Sequence, residues 1–378
     1  MDPTAPALHE AGGVLTIDPG AIASNWRSLA RVAGSAECAG VVKADAYGTG
    51  IDVAVPALAA AGCRTFFVAL LPEARRVRAL APEATIYVLN GFLPGTAPSY
   101  AGARLRPVLG SPDELAEWAG FCRAEGGDPS FALHVDTGIN RLGLPHEAAL
   151  NLGSRGLQAQ YGLTPSLVMS HFVSAERAGD PLNAWQIQTF AAVRGVFPGI
   201  PGSLANSSGI FLGPAAHHDL VRPGYALYGG NPLPGQASPM RAVVRLEGRV
   251  MQVRDIPAGG AIGYNARRTV QRPTRGAVVS IGYADGLPGG ASGFDDKPGG
   301  ELVAPSGRRC PILGRVSMDM IVVDVTDCAP GEVERGSLMA LLDDTLGVDE
   351  LGARAGVIGY EVLTGLGRRY RRRLAGKA

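Results

Sequence analysis

A lysine closes the run VVK at residues 41–43, directly after small and apolar residues that predict a buried strand. Lysine is seldom buried unless its charge is paired or used, so Lys43 either points into water or carries a working amine. Other polar residues fall at comparable places. Asn140 and Arg141 follow SFALHVD, His171 follows SLVMS, Asn206-Ser207-Ser208-Gly209 follows GSLA, and Arg222-Pro223-Gly224 follows HDLV. Taken singly, each has an ordinary reading: an exposed lysine, a satisfied core histidine, a turn or helix N-cap. Their shared position at strand ends points to one site. Small polar and glycine-rich turns in the last two places suit a phosphate held by backbone N–H groups and hydroxyls. An amine at the same mouth, kept deprotonated by desolvation and nearby cations, suits a Schiff base with a carbonyl cofactor such as pyridoxal phosphate.

The elements that must position these residues alternate in texture. Between about residues 38 and 221, eight apolar runs (ECAGVVK, RTFFVAL, TIYVLN, RLRPVLG, SFALHVD, SLVMSH, GSLANS and HDLVR) are separated by helix-like stretches such as PEARRVRAL, SPDELAEWAGFCRAEG and PLNAWQIQTFAAVRGVF. The second of these opens on a Ser-Pro-Asp-Glu start that resembles a capping box. Eight βα units predict a (β/α)8 TIM-like barrel, whose chemistry belongs at the C-terminal ends of its strands. After residue 240 the texture becomes alternating and β-branched, in RAVVRLEGRVMQVRDI, RGAVVSIGYADG, CPILGRV and MDMIVVDVTD, which predicts a mostly-β domain. The expected division is 1–240 for the barrel and 241–378 for the β domain, with the first ~15 residues free to pack with the latter. The basic end RRYRRRLAGKA reads as a solvated tail.

Composition excludes several classes. The 35 basic and 34 acidic residues leave a net charge of +1, so neither nucleic acid nor an anionic membrane surface is an expected partner. Five scattered cysteines form no C-x-x-C or Cys/His ligand spacing, which argues against a disulfide framework and against a structural metal, and fits a reducing cytoplasm. No basic and apolar leader opens the chain, and no apolar run is long enough to span a bilayer.

The fragments VVKADAYG, DTGINRLG, MSHF, ANSSG, LVRPGYALYG, IGY, IGYADG, GRVSMDM and GYEVLTGL occur in this order across nearly the whole chain. In that respect the sequence resembles the alanine racemases, pyridoxal-phosphate isomerases that interconvert L- and D-alanine by a two-base mechanism. The resemblance implies a barrel with a C-terminal β domain, and a head-to-tail homodimer whose shared active sites are each completed by the partner's β domain. It implies a role in supplying D-alanine for peptidoglycan or in its catabolism. By matching motif, Lys43 resembles the Schiff-base lysine and one of two acid/base groups, and Tyr264 in AIGYN resembles the second. Tyr47, Asn206, Ser207, Gly224, Tyr225 and Tyr360 match positions that hold the cofactor phosphate. His171 resembles the imidazole stacked on the cofactor ring, and Arg222 the arginine facing its pyridine nitrogen. Arg141 matches a residue near the substrate carboxylate, and Tyr283, Met318 and Asp319 match its other surroundings.

The chemistry agrees with such a set. Inverting a stereocentre through a planar carbanion needs proton-transfer groups on both faces. A lysine and a tyrosine, both with ordinary pKa values near 10, serve as bases at neutral pH only in a cationic, partly desolvated site. A guanidinium at Arg222 stays protonated and restrains electron withdrawal into the ring, which is expected to suppress transamination.

Three positions depart from the family pattern. His134 stands where the strand leading into DTG often carries a carbamylated lysine, so Arg141 is expected to be oriented by another group, a bound anion such as chloride, or water. Thr49 replaces a usual histidine and Ser317 a frequent cysteine. Among barrel-type alternatives, a decarboxylase lacks its cysteine-histidine signature here, a broad-range racemase is typically exported, and a cofactor carrier would use the barrel alone.

Overall fold

The computed structural model describes residues 7–126 and 128–376. They form two compact units. One comprises Ile22–Leu227 with Asn231–Met240, and the other comprises the described residues through Ala21 together with Tyr228–Gly230 and the chain from Arg241 onward.

In the first unit every strand expected from the sequence is present: Glu37–Cys38 with Gly40–Val41, Thr65–Val68, Thr85–Val88, Arg106–Leu109, Ala132–Asp136, Leu167–Met169, Gly202–Ser203 and Leu220–Val221. Neighbours pair in parallel from the first through the seventh. The seventh meets the eighth through Asp219 N–H to Gly202 O (3.0 Å) and Arg222 N–H to Ala205 O (2.9 Å). The eighth returns to the first, with Leu220 opposite Glu37 and Val221 opposite Cys38. Runs such as TFFV are buried throughout, as strands covered on both faces must be. Phe66, Phe67, Phe131, Phe190 and Trp118 are fully buried, each contributing about 1.5–3 kcal/mol over an exposed side chain.

The helices start and stop where local chemistry directs. Ser111 caps Pro112–Glu125 by accepting the Glu114 N–H at 3.2 Å, Pro112 needs no N–H at that first position, and Gly126 (φ +68°) ends the helix in the left-handed region. Asp180 likewise caps Pro181–Gly195 through the Leu182 N–H.

The second unit is built on an eight-stranded, largely antiparallel sheet. Its longest strand, Val244–Ile256, pairs with Gly13–Ile17, with Thr274–Val279 and with Leu338–Leu342, bending at irregularities near Leu246 and Val250. The reading of the basic C-terminus as a solvated tail is corrected here. Arg371–Leu374 forms an edge strand parallel to Gly13–Ile17, and Tyr370 is buried. Alternation hid this, because an edge strand tolerates charged side chains and arginine blocks further pairing. Lys377 and Ala378 at the end of that basic stretch lie outside the described residues, as do residues 1–6 of the opening segment expected to pack with this domain.

Candidate active site

The first barrel strand ends at Val41, and Lys43 opens a turn of unusual hand. Ala44, Asp45, Ala46 and Tyr47 all have φ between +52° and +54°. A left-handed helical residue with a Cβ costs roughly 1–2 kcal/mol, so four in succession persist only where their surroundings over-determine them. Ala46 N–H bonds Val42 O at 3.0 Å, Gly48 N–H bonds Ala44 O at 2.9 Å, and Gly50 N–H bonds Asp45 O at 2.8 Å. The Asp45 carboxylate accepts from Ile51 N–H (3.0 Å) and from Arg76 (2.8 Å). Thr49, the departure noted above, is fully buried and donates its hydroxyl to Ala46 O at 2.6 Å. The Glu73 carboxylate closes the list, accepting Ala44 N–H at 2.7 Å while its other oxygen accepts the Ala69 and Leu70 N–H groups.

The same electrostatics act on the lysine. Burial, with the Arg141 charge nearby, lowers the Lys43 pKa, and the Glu73 carboxylate opposes the shift. Arg141 follows the fifth strand in a loop organised by Asp136, whose Oδ1 accepts the N–H groups of Gly138 (2.8 Å) and Ile139 (2.9 Å). Among the described residues no carboxylate pairs with Arg141.

Arg222 is 4% exposed. Its guanidinium donates to the Ser203 hydroxyl and to Ser170 O, and it lies over the Phe67 ring, 5.8 Å from the centroid. Burial pushes its pKa down to about 9, so it keeps its proton at neutral pH. Among the described residues no carboxylate neutralises it; the buried charge is met by the Ser203 hydroxyl, the Ser170 carbonyl and the Phe67 ring instead. His171 stands after the sixth strand. Burial and the charges of Arg222, Arg141 and Lys43 hold its pKa down at about 3, so the ring is neutral. His134, within the fifth strand and 8% exposed, is lowered to about 4 by burial, Arg222 and Arg141, against Asp136. Its Nε2 has no hydrogen-bond partner.

These strand ends are tied together by a residue that motif reading missed. Gln186, fully buried on the helix Pro181–Gly195, donates to Thr137 Oγ1 (3.0 Å) and His171 O (3.0 Å) and accepts from Val173 N–H (2.9 Å). Thr137 and Ser170 share a further hydroxyl bond of 2.7 Å. The sequence carried no signal for it, because a glutamine on a helix is ordinarily exposed and its partners lie up to 49 positions away.

After the seventh and eighth strands, Ser207 Oγ accepts the N–H groups of Gly224 (3.0 Å) and Ala226 (3.2 Å), and Asn206 Oδ1 accepts from Gly209 (2.9 Å). Tyr47 packs on Gly224 so closely that a Cβ there would overlap the phenol. Tyr225 is buried beside it in sequence. A phosphorylated aromatic aldehyde fits this set: a depressed lysine amine, an unneutralised guanidinium, a neutral imidazole, and two short turns with glycine where backbone must come close.

The remaining expected residues belong to the second unit. Tyr264 is 68% exposed on the short hairpin Ala261–Ile262 and Arg268–Thr269, and Tyr283, Met318 and Tyr360 are also exposed. Two segments carrying them are joined by backbone bonds from Tyr283 N–H to Ser317 O and from Ala284 N–H to Met318 O, both 3.0 Å. Gly282 permits this, since a Cβ there would collide with the Ser317 and Met318 carbonyls. Arg369, another residue missed by motif reading, braces the pair. It meets Asp319 at 2.9 Å and Asp285 at 3.3 Å, while the other Asp285 oxygen accepts Gly282 N–H.

Residues 17–232 match the model of the alanine racemase N-terminal domain, and residues 243–374 that of the alanine racemase C-terminal domain. The chain is 56% identical over 369 residues to an alanine racemase of Methylobacterium sp. (strain 4-46), covering 98% of this chain and 99% of the relative. Two Agrobacterium fabrum relatives, named biosynthetic and catabolic alanine racemases, are each 43% identical, covering 97% of this chain and 94% and 93% of theirs. Among solved structures, alanine racemase from Bartonella henselae with covalently bound pyridoxal phosphate superposes with a TM-score of 0.90 at 37% identity, covering 96% of this chain and 99% of that one.

Proposed function

The chain belongs to the alanine racemase family, pyridoxal-phosphate enzymes that interconvert L- and D-alanine, and from that premise we propose which of its residues carry the reaction. The observation that carries the reading is the convergence, in one unit, of a half-buried lysine of lowered pKa with the unneutralised Arg222, the neutral His171 and the Ser207–Gly224 turn. Bound through its aldehyde, the cofactor supplies an electron sink that acidifies the α-proton of alanine.

Lys43 is assigned the covalent attachment and one proton-transfer role. Its lowered pKa keeps a larger fraction of the amine free to accept a proton at neutral pH. Tyr264, exposed in the protomer, is assigned the opposite face, which supports a homodimer in which each site takes this phenol from the partner. Tyr47, Asn206, Ser207, Gly224, Tyr225 and Tyr360 are assigned the phosphate. His171, being neutral, packs on an aromatic ring without adding charge, and Arg222 presents a hydrogen-bond donor that gives up no proton. Arg141, Tyr283, Met318 and Asp319 are assigned the substrate. The unpartnered His134 Nε2, with no carboxylate at Arg141, supports a small bound anion between them in place of a carbamate. A cytoplasmic enzyme of this activity would supply D-alanine for peptidoglycan or run in reverse in catabolism.

Incubation with L-alanine tests the assignment. Lys43→Ala is expected to lose the visible absorbance of the bound cofactor. Tyr264→Phe is expected to keep that absorbance, to lose racemisation by roughly 10²–10⁴-fold, and to exchange the α-proton of one enantiomer only. Full turnover in Tyr264→Phe would refute the two-face assignment.

A further inference from the structure

We infer that Glu73 is a positioning residue for Lys43: its carboxylate holds the left-handed turn in place and thereby fixes where the lysine amine and the Tyr47 phenol project. The inference rests on the assignment of Lys43 as the cofactor-bearing amine.

Glu73 stands at the third position of the helix Leu71–Leu80, where a glutamate commonly reaches back to cap its own first turn. One oxygen does this for Ala69 and Leu70, at 2.8 and 3.1 Å. The other oxygen is used across the fold, 29 positions away, on the Ala44 N–H at 2.7 Å. That is the peptide directly after Lys43 and the first of four left-handed residues. A carboxylate is suited to the task, since both oxygens accept and the bonds are charge-assisted. The neighbouring helical residue Arg76 holds the next turn residue, Asp45, at 2.8 Å. The helix after the second strand therefore grips two consecutive residues of a backbone conformation that the sequence ADAY would not adopt alone.

A cap serving only its own helix would leave the turn indifferent to its loss, so the test is made at the turn. In the holoenzyme, the Ala44 amide should exchange slowly with solvent although the residue is exposed. In Glu73→Gln, whose amide has one acceptor oxygen, exchange across residues 44–48 should rise by roughly tenfold or more, and pyridoxal phosphate should dissociate roughly tenfold more readily. Adding Ala44→Gly should recover part of that affinity, because glycine needs no support at positive φ. Glu73→Asp, one methylene shorter with its charge kept, gives a second reading should Glu73→Gln fold poorly, and it should show the same faster exchange.

Unchanged exchange at 44–48, or a loss of affinity that Ala44→Gly does not relieve, would overturn the inference. If Lys43→Ala nonetheless abolished the cofactor absorbance, the assignment of Lys43 would stand without it. Cofactor absorbance surviving in Lys43→Ala would instead remove the premise.

Discussion

The Tyr47 ring lies against Gly224 with no room for a side chain between them: a Cβ at residue 224 would sit 2.9 Å from the phenol carbon Cζ and overlap its hydroxyl. The left-handed turn after the first strand and the turn after the eighth are thus locked face to face. Gly224→Ala must displace one of them, a misfit of about 1–3 kcal/mol. The expected result is a cofactor affinity reduced by roughly 10–100-fold, read by titrating pyridoxal phosphate against visible absorbance, with most of the fold's stability retained. An unaltered titration would show that the phosphate is held elsewhere.

Gln186 supplies three hydrogen bonds from a fully buried position. Gln186→Leu leaves the His171 carbonyl and the Val173 N–H without this partner, and each unsatisfied buried group costs about 1–3 kcal/mol. Thermal unfolding should fall accordingly, whereas Gln188→Leu, on the same helix but outside this network, should stay within ~0.5 kcal/mol of the parent. Equal stabilities for the two variants would show that the bonds carry no net stability.

Arg369 braces the segments that carry Tyr283 and Met318. Its Asp319 partner is half exposed, so the pair contributes little to global stability, typically about 0–1 kcal/mol. Arg369→Met should therefore act on the alanine site: KM rises roughly three- to tenfold, with cofactor absorbance preserved. A fall in cofactor occupancy with KM unchanged would place its effect in the wrong part of the molecule.

His134 predicts an acid sensitivity. Its pKa is ordinary in the unfolded chain, near 6.5, and about 4 when folded, because burial and then Arg222 and Arg141 disfavour the imidazolium. Above pH 6.5 both states are neutral and the site contributes no pH dependence. As pH falls from 6.5 towards 4 the unfolded chain binds a proton that the folded one refuses, and stability drops, by on the order of 3 kcal/mol for this group. Urea midpoints measured from about pH 7 to about pH 4.5 should fall less steeply in His134→Asn than in the parent. Parallel slopes would mean that His134 charges in the folded protein.

What the sequence determined by itself is whatever local order encodes. Eight apolar runs spaced by amphipathic helices are enough to write a barrel, since each strand is buried on both faces and each helix on one. That Lys43, His171, Asn206, Ser207 and Arg222 follow strand ends was legible, and strand ends are where a barrel of this kind places its chemistry. Tyr264, Tyr283 and Met318 had no such positional signal and were readable only through motifs shared with a family.

Tertiary structure decided what depends on distant partners. Neither the hand of the turn at ADAY nor the second task of Glu73 could be read locally, because a helix-capping glutamate looks the same whether or not its other oxygen crosses to residue 44. Gln186 looked like any polar helix residue until Thr137 and His171 closed around it. Arg369 lay within a stretch that read as solvated until Asp319, 50 positions away, and the more distant Asp285 met it. In each case the energy lies in satisfying a polar group that burial or strain has cut off from water, and only the folded chain determines which group that is.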